Sequence, residues 1–214
     1  PPPPPPPLPA GLTSLRKLSL AGNGIAQLDA GIFSGLGSLE ILIVTSNPLA
    51  DLHPAVFRGL SSLQELWLYR NSIASLDANL FNGLSSLRLV VLDYNGIAAL
   101  PLGIFSGLSS LEQVWMSYNQ LTTLSTGLLS DVPGLKILWL AYNQIAALPP
   151  DVFEGLGSLE SLCLDYNQIE ALPSSTAGLT SLQFLSAIGN PGLRTVPAYV
   201  TVLPALTQLR VKYD

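Results

Sequence analysis

The sequence of 214 residues has one Cys, one His and one Met, and only 11% of its residues are charged. A single Cys excludes a disulfide framework within the chain, and a single His beside it excludes a Cys/His zinc site. Lys and Arg number 9 against 14 Asp and Glu, a net charge of −5, so no basic face for nucleic acid is expected. No apolar run approaches the roughly 18 residues of a membrane-spanning helix, so no membrane insertion is expected. The opening PPPPPPPLPA has neither a basic stretch nor an apolar core, and does not read as a secretory signal. No Asn-x-Ser/Thr triplet occurs, so N-glycans are not expected. Aromatic residues make up only 7%, which makes their positions informative. The 48% of hydrophobic residues is the opposite of a disordered composition.

What the chain does have is self-similarity. GLTSLRKLSLAGNGIAQLDAGIFS begins at Gly11, GLGSLEILIVTSNPLADLHPAVFR at Gly35 and GLSSLQELWLYRNSIASLDANLFN at Gly59. Further copies begin at Gly83, Gly107, Asp131, Gly155 and Gly178, with a partial ninth at Val202. One Asn marks each full copy: Asn23, Asn47, Asn71, Asn95, Asn119, Asn143, Asn167 and Asn190. They stand 24 residues apart, except for 23 at the last step. In each copy an apolar pair such as Leu66 and Leu68 alternates with outward residues such as Trp67 and Tyr69, which marks a short strand with one buried face. A single copy cannot bury its apolar face alone, so the copies are expected to stack. Leu15, Leu39, Leu63, Leu87, Leu111, Leu135, Leu159, Leu182 and Leu206 would then form one core row. Phe33, Phe57, Phe81, Phe105, Leu129 and Phe153 would form a second. The Asn column would turn inward, its amides pairing with backbone groups of adjacent turns that would otherwise be buried without partners.

The pattern LxxLxLxxNxIxxLPxxxFxGL over residues 11–214 resembles the leucine-rich-repeat family, in its typical class common among extracellular and cell-surface proteins. The resemblance implies an α/β solenoid, a horseshoe with a concave parallel β-sheet. Its convex side would be irregular, polyproline-II or 3-10, with little regular α-helix. It implies binding on the concave face and no enzymatic activity. The Cys-rich caps usual in that class are absent. Pro1–Pro7 resembles the proline runs of wall-associated proteins of plants and algae, which become hydroxylated and O-glycosylated. Both resemblances imply an extracellular or cell-surface setting.

Taking each Asn as reference, the column four residues before it reads Ser19, Ile43, Trp67, Val91, Trp115, Trp139, Cys163, Ser186, Arg210. All three Trp fall in that one column. The column just before the Asn reads Gly22, Ser46, Arg70, Tyr94, Tyr118, Tyr142, Tyr166, Gly189, Tyr213. Strands lie about 4.8 Å apart, which predicts Trp115 beside Trp139 and Trp67 about 10 Å from Trp115. Trp67, Tyr69, Tyr94, Trp115, Tyr118, Trp139, Tyr142 and Tyr166 are thus the expected ligand-binding residues on a nearly uncharged aromatic platform. A proline-rich peptide or a polysaccharide would suit it. The competing reading is that like side chains stacked along a sheet are stabilising ladders only.

No catalytic constellation, metal site or cofactor site is visible. Cys163 stands alone on the concave face and reads as a small filler. His53 reads as a surface or capping residue. Asp93 and Asp165 are concave carboxylates three copies apart, about 14 Å, too far for paired acid/base work.

Neither end shows a polar capping repeat. Residues 1–10 and 202–214 together make up one further period, which suggests a polyproline segment that completes a split repeat. The leading expectation is therefore an extracellular structural subunit that polymerises head to tail, with Pro1, Pro2, Pro3, Pro4, Pro5, Pro6, Pro7, Leu209, Val211 and Tyr213 at the joint. The alternative is a cell-surface recognition module that binds peptide or glycan on the Trp/Tyr face.

Overall fold

The Leu-x-Leu alternation produces strands in register. The computed structural model describes residues 11–212, and they form a parallel solenoid of about eight turns with almost no helix. The strands are β1 (Lys17–Ser19), β2 (Gln27–Leu28), β3 (Ile41–Ile43), β4 (Asp51–Leu52), β5 (Glu65–Trp67), β6 (Leu89–Val91), β7 (Gln113–Trp115), β8 (Ile137–Trp139), β9 (Ser161–Cys163), β10 (Phe184–Ser186) and β11 (Gln208–Arg210). Nine of them form one parallel sheet in the order β1-β3-β5-β6-β7-β8-β9-β10-β11. β2 pairs with β4 in a second, two-stranded sheet on the return path. Elsewhere the return path is a series of turns, with a 3-10 segment at Ser174–Gly178 and one helical turn at Ala198–Thr201. Among the described residues no helix is long and apolar enough to cross a membrane.

The register pairs like with like. Leu66 lies beside Val90, Val114 beside Leu138, and Trp115 beside Trp139. Each turn closes a slice of core. In the third copy Leu60, Leu63, Leu66, Leu68, Ile73, Leu76, Leu80 and Phe81 are all buried. Burying one such side chain stabilises by about 1.5–3 kcal/mol, and every slice shares its walls with two neighbours. The Leu row is continuous from Leu39 to Leu182. Leu15 and Leu206 depart from the expectation and are only partly buried, because among the described residues each lies in an end slice with a neighbouring turn on one side. The Phe column is buried from Phe33 to Phe153, Leu129 included. Where the seventh copy is one residue short, Thr176 takes the Phe position, fully buried, and its hydroxyl has no partner. Val200 fills the same position in the eighth.

The Asn ladder joins the turns. The Asn119 side-chain amide donates to the carbonyls of Leu92, Met116 and Ser117, and its oxygen accepts from the Ile97 N–H. Asn143 repeats the pattern one turn on, with Leu121 N–H, Met116 and Leu140 as partners. Asn47, Asn95, Asn167 and Asn190 follow suit. Asn71 keeps its donor bonds to Val44 and Leu68, but its buried oxygen has no partner. Asn23 departs from the expected ladder. It is exposed, and its amide reaches only the Ala21 carbonyl, since no earlier turn faces it among the described residues.

At the last strand, β11 is exposed along its length, Leu209 is 36% exposed and Val211 is partly buried. The other residues assigned to end-to-end joining, Pro1 to Pro7 and Tyr213, lie outside the described residues.

Asn119→Ala leaves the Ile97 N–H buried without a partner, which costs about 1–3 kcal/mol, while the Leu92 and Met116 carbonyls keep the amides of Asn95 and Asn143. The expected loss is about 1–3 kcal/mol in urea unfolding, against less than about 1 kcal/mol for Asn23→Ala.

Candidate functional site

To carry each Asn from the concave face into the core, the chain must turn inward within one residue of the strand's extension. That residue adopts the left-handed conformation. Ser46, Arg70, Tyr94, Tyr118, Tyr142 and Tyr166 have φ between 51° and 58°, and Gly22 and Gly189 occupy the same column at 69° and 72°. Its N–H donates across to the next turn, Tyr118 to the Ala141 carbonyl at 2.9 Å for example. A non-glycine residue in this conformation costs roughly 1–2 kcal/mol. Four consecutive Tyr nevertheless stand there, and they stack. Ring centroids are 4.1 Å apart for Tyr94–Tyr118, 4.3 Å for Tyr118–Tyr142 and 4.4 Å for Tyr142–Tyr166, with interplanar angles of 9–15°. Each stack returns about 0.5–1.5 kcal/mol, the same size as the strain. Gly189 ends the ladder. A Cβ on it would meet the Tyr166 ring at 2.6 Å, so the ring rests directly on the glycine backbone.

The Trp column forms the opposite wall. Trp115 and Trp139 stack at 4.8 Å. Trp67 meets Trp115 edge to face at 6.2 Å, not the roughly 10 Å that strand spacing predicts. Only the small Val91 stands between them, and side chains converge on the inside of a curved sheet. Trp67 donates its indole N–H to Glu65 and Trp139 donates to Ser161, whereas the buried Trp115 indole N–H has no acceptor. Among the described residues it is the one Trp donor left over.

Between the two walls runs the column two residues before each Asn: Tyr69, Asp93, Ser117, Ala141, Asp165. The result is a trough with Trp67, Trp115 and Trp139 on one side, Tyr94 and Tyr118 on the other, Asp93 and Ser117 at its floor and Tyr69 at one end. It encloses about 390 Å³. Six of the eight expected binding residues line it. Tyr142 and Tyr166 continue the ladder outside it. Because the Tyr rings stack, they present edges and hydroxyls toward solvent, not the flat platform the columns alone suggest. Asp93 and Ser117 were not among the expected site residues, although both sit in register and the period points to them once the middle column is read.

Asp93 is buried, 8% exposed, and its carboxylate accepts the Ser117 N–H at 2.7 Å. Burial pushes its pKa up to about 6, against the pull of the backbone and Ser117 donors. The donors that hold it are neutral. Among the described residues the ion pairs are Arg16–Glu40, Arg88–Glu112 and Lys136–Glu112, none of which involves it. Asp165, its counterpart three copies on, is held by the Ser186 hydroxyl at 2.6 Å and the Ile188 N–H at 2.8 Å. Nearby, the Arg70 guanidinium lies over the rings of Tyr69 and Tyr94, 5.1 Å and 5.4 Å from their centroids. The thiol of Cys163, half-buried, is pushed up to about 11 by burial, the reverse of a nucleophile's tuning. His53 caps a turn, its Nδ1 accepting the Ala55 N–H. Among the described residues no group of three or more His, Cys, Asp or Glu stands together to hold a metal.

A stack of parallel turns joined by an Asn ladder, with a row of outward side chains on its concave sheet, defines a solenoid scaffold for interaction. The chain belongs to the leucine-rich-repeat family: the family model for the leucine rich repeat matches residues 38–97, 85–145 and 133–191. No curated protein matches the sequence. Among solved structures, the chain is similar to one in the TLR13–ssRNA13 complex, at 29% identity and a TM-score of 0.87, over 96% of this chain and 30% of that one. It is similar to an LRR protein of Leptospira interrogans, at 25% identity and a TM-score of 0.80, over 95% of this chain and 57% of that one. It is also similar to a chain of the Drosophila Toll–Spatzle complex, at 28% identity and a TM-score of 0.82, over 94% of this chain and 27% of that one. In each case the chain spans less than two thirds of its neighbour.

Two outcomes follow for stability. Tyr118→Ala loses two stacks and keeps the left-handed strain, so it should cost about 1–3 kcal/mol, while Tyr118→Gly relieves the strain and should be about 1 kcal/mol better than Ala. Thermal unfolding of the two variants measures the difference. For Asp93, the folded chain holds its proton more tightly than the unfolded chain. Its contribution is therefore most favourable below the ordinary carboxylate range and is lost as pH rises through about 6. Asp93→Asn should stabilise by about 1–2 kcal/mol at pH 7.5, with allowance for screening at the cleft mouth, and by nothing at pH 4. Equal gains at both pH values would refute the assignment.

Proposed function

We propose that this chain is a non-enzymatic, extracellular recognition module that holds an extended ligand, a proline-rich peptide or a polysaccharide strand, in its concave trough. The observation that carries this reading is the convergence of three Trp and three Tyr around one cleft of about 390 Å³ with two polar side chains at its floor. Large apolar side chains left at a surface mark an interface, and a concave apolar site with a few placed polar groups is the ordinary form of a binding site. The similar chain in the TLR13 structure is in a complex with an ssRNA and that in the Toll structure is in a complex with Spatzle. For this chain, a net charge of −5 and an aromatic trough favour an uncharged or cationic ligand over RNA. The repeat class and the proline run support the extracellular setting.

A second reading is head-to-tail self-assembly into a fibril through the two ends, Pro1–Pro7 among them. What supports it is β11, exposed along its length with an apolar Leu209 and an outer edge free of strand partners among the described residues. Unpaired edges of this kind invite pairing.

The readings separate in one set of measurements. Trp115→Ala should abolish quenching of tryptophan fluorescence by oligoproline or oligosaccharide probes while the far-UV spectrum stays near that of the native chain and the unfolding midpoint falls only by what the lost contacts with Trp67 and Trp139 contribute. Light scattering of the intact chain should give a monomer of about 23 kDa if recognition is its role. A polymer that forms without ligand and disappears on removal of Pro1–Pro7 would establish the second reading.

A further inference from the structure

The trough distinguishes between its two candidate ligands. Its floor holds a carboxylate that takes part in none of the ion pairs among the described residues. Desolvating a charge without a partner costs several kcal/mol, and an isolated acid of that kind gains most from an incoming positive group. The trough walls are apolar, which suits the methylene stem of a basic side chain whose charged head reaches a polar floor. The rim already accepts one such group: Arg70 of the chain itself lies over Tyr69 and Tyr94. A polysaccharide hydroxyl could bond to Asp93, but would leave its charge uncompensated.

We infer that the concave trough recognises a basic side chain, lysine or arginine, carried by an extended partner peptide, with Asp93 as the counter-charge and Trp115 and Tyr118 as walls for the aliphatic stem. The chain's own Arg70 then acts as a like charge at the rim and sets an upper bound on affinity. This rests on the concave face being the binding face, and goes beyond it by choosing peptide over glycan and fixing the charge of the anchor. Contacts to a cation buried in an aromatic pocket strengthen as water is excluded, so the discrimination between charged and neutral side chains should be large for a site of this size.

The test uses the full chain and three probes: a hexapeptide of five prolines and a central lysine, the same peptide with norleucine for lysine, and a neutral cello-oligosaccharide. Tryptophan fluorescence and calorimetry report binding. The expected result is a lysine peptide bound at least about tenfold more tightly than the norleucine peptide, with the ratio falling toward one in Asp93→Asn. Arg70→Gln should raise affinity for the lysine peptide several-fold and leave the norleucine peptide unchanged. It carries the test if Asp93→Asn does not fold. Equal binding of the two peptides by the native chain, or a ratio that survives Asp93→Asn, overturns the inference. If the oligosaccharide alone binds, and Trp115→Ala removes it, the charge assignment is wrong and the concave reading stands. If none of the three perturbs the tryptophans, both fall together.

Discussion

Everything in this molecule depends on one turn of backbone repeated in each copy: the left-handed residue that ends the strand's extension and drops the next side chain, an Asn, into the core. A solenoid has a buried inner surface on which strand-end carbonyls and the first N–H of the return path face each other with no room for water. Unpaired, each would cost on the order of 1–3 kcal/mol. The Asn side chain is short, carries two donors and an acceptor, and reaches both its own turn and the one before. Its partners therefore fix the rise between turns, and with it the register of the sheet. The step from Asn167 to Asn190 shows how strict that is. The copy is one residue short, yet Asn190 still finds Leu164, Ala187 and the Ile169 N–H, and the deletion is absorbed on the convex side, where Thr176 takes the place of a Phe.

That turn also makes the binding face. It places the residue before each Asn at the rim of the trough, in a conformation for which glycine is cheapest. Gly22 and Gly189 take it at the two ends, but the middle of the molecule has four Tyr. Three stacks among four Tyr offset about half of the strain, and what the ladder supplies is a wall of hydroxyls held in register by the repeating backbone. The strain and the stacking are coupled: rings at 4.1–4.4 Å can stack only because successive turns repeat the same backbone angle.

The architecture is legible in the sequence because a 24-residue period aligns chemistry in columns. The three Trp, the Tyr column and the Asn ladder all appear where the columns put them. Period alone does not reveal how side chains lean. Trp67 crosses the small Val91 to reach Trp115, and that contact depends on the size of a neighbour and the curvature of the sheet. Nor does it reveal what stacking does to a ring's exposed surface, which turns a flat platform into a trough. Asp93 is the more instructive omission. A search for paired carboxylates rejects it, since its counterpart Asp165 is three turns away, and its role depends on the depth of the cleft around it. The half-buried Leu15 and Leu206 and the exposed Asn23 mark where periodic reasoning ends: a column predicts burial only where a neighbour exists on both sides.

The chain has few charges, and the ion pairs among the described residues, such as Arg88–Glu112, lie at the surface and contribute little. Against that background a carboxylate at the bottom of an aromatic trough is costly to the fold. Ala141 occupies the same column one position beyond Ser117, so an uncharged residue is compatible with this floor, and a neutral acceptor such as Asn would keep the Ser117 N–H bond without the cost of the charge. The Ser117 N–H bond accounts for an acceptor at this position, but a neutral side chain could supply that, so it does not account for the charge. On the reading proposed above, that charge stands where a partner's cation would be most strongly felt, while the hydrogen bond beside it keeps the carboxylate in place.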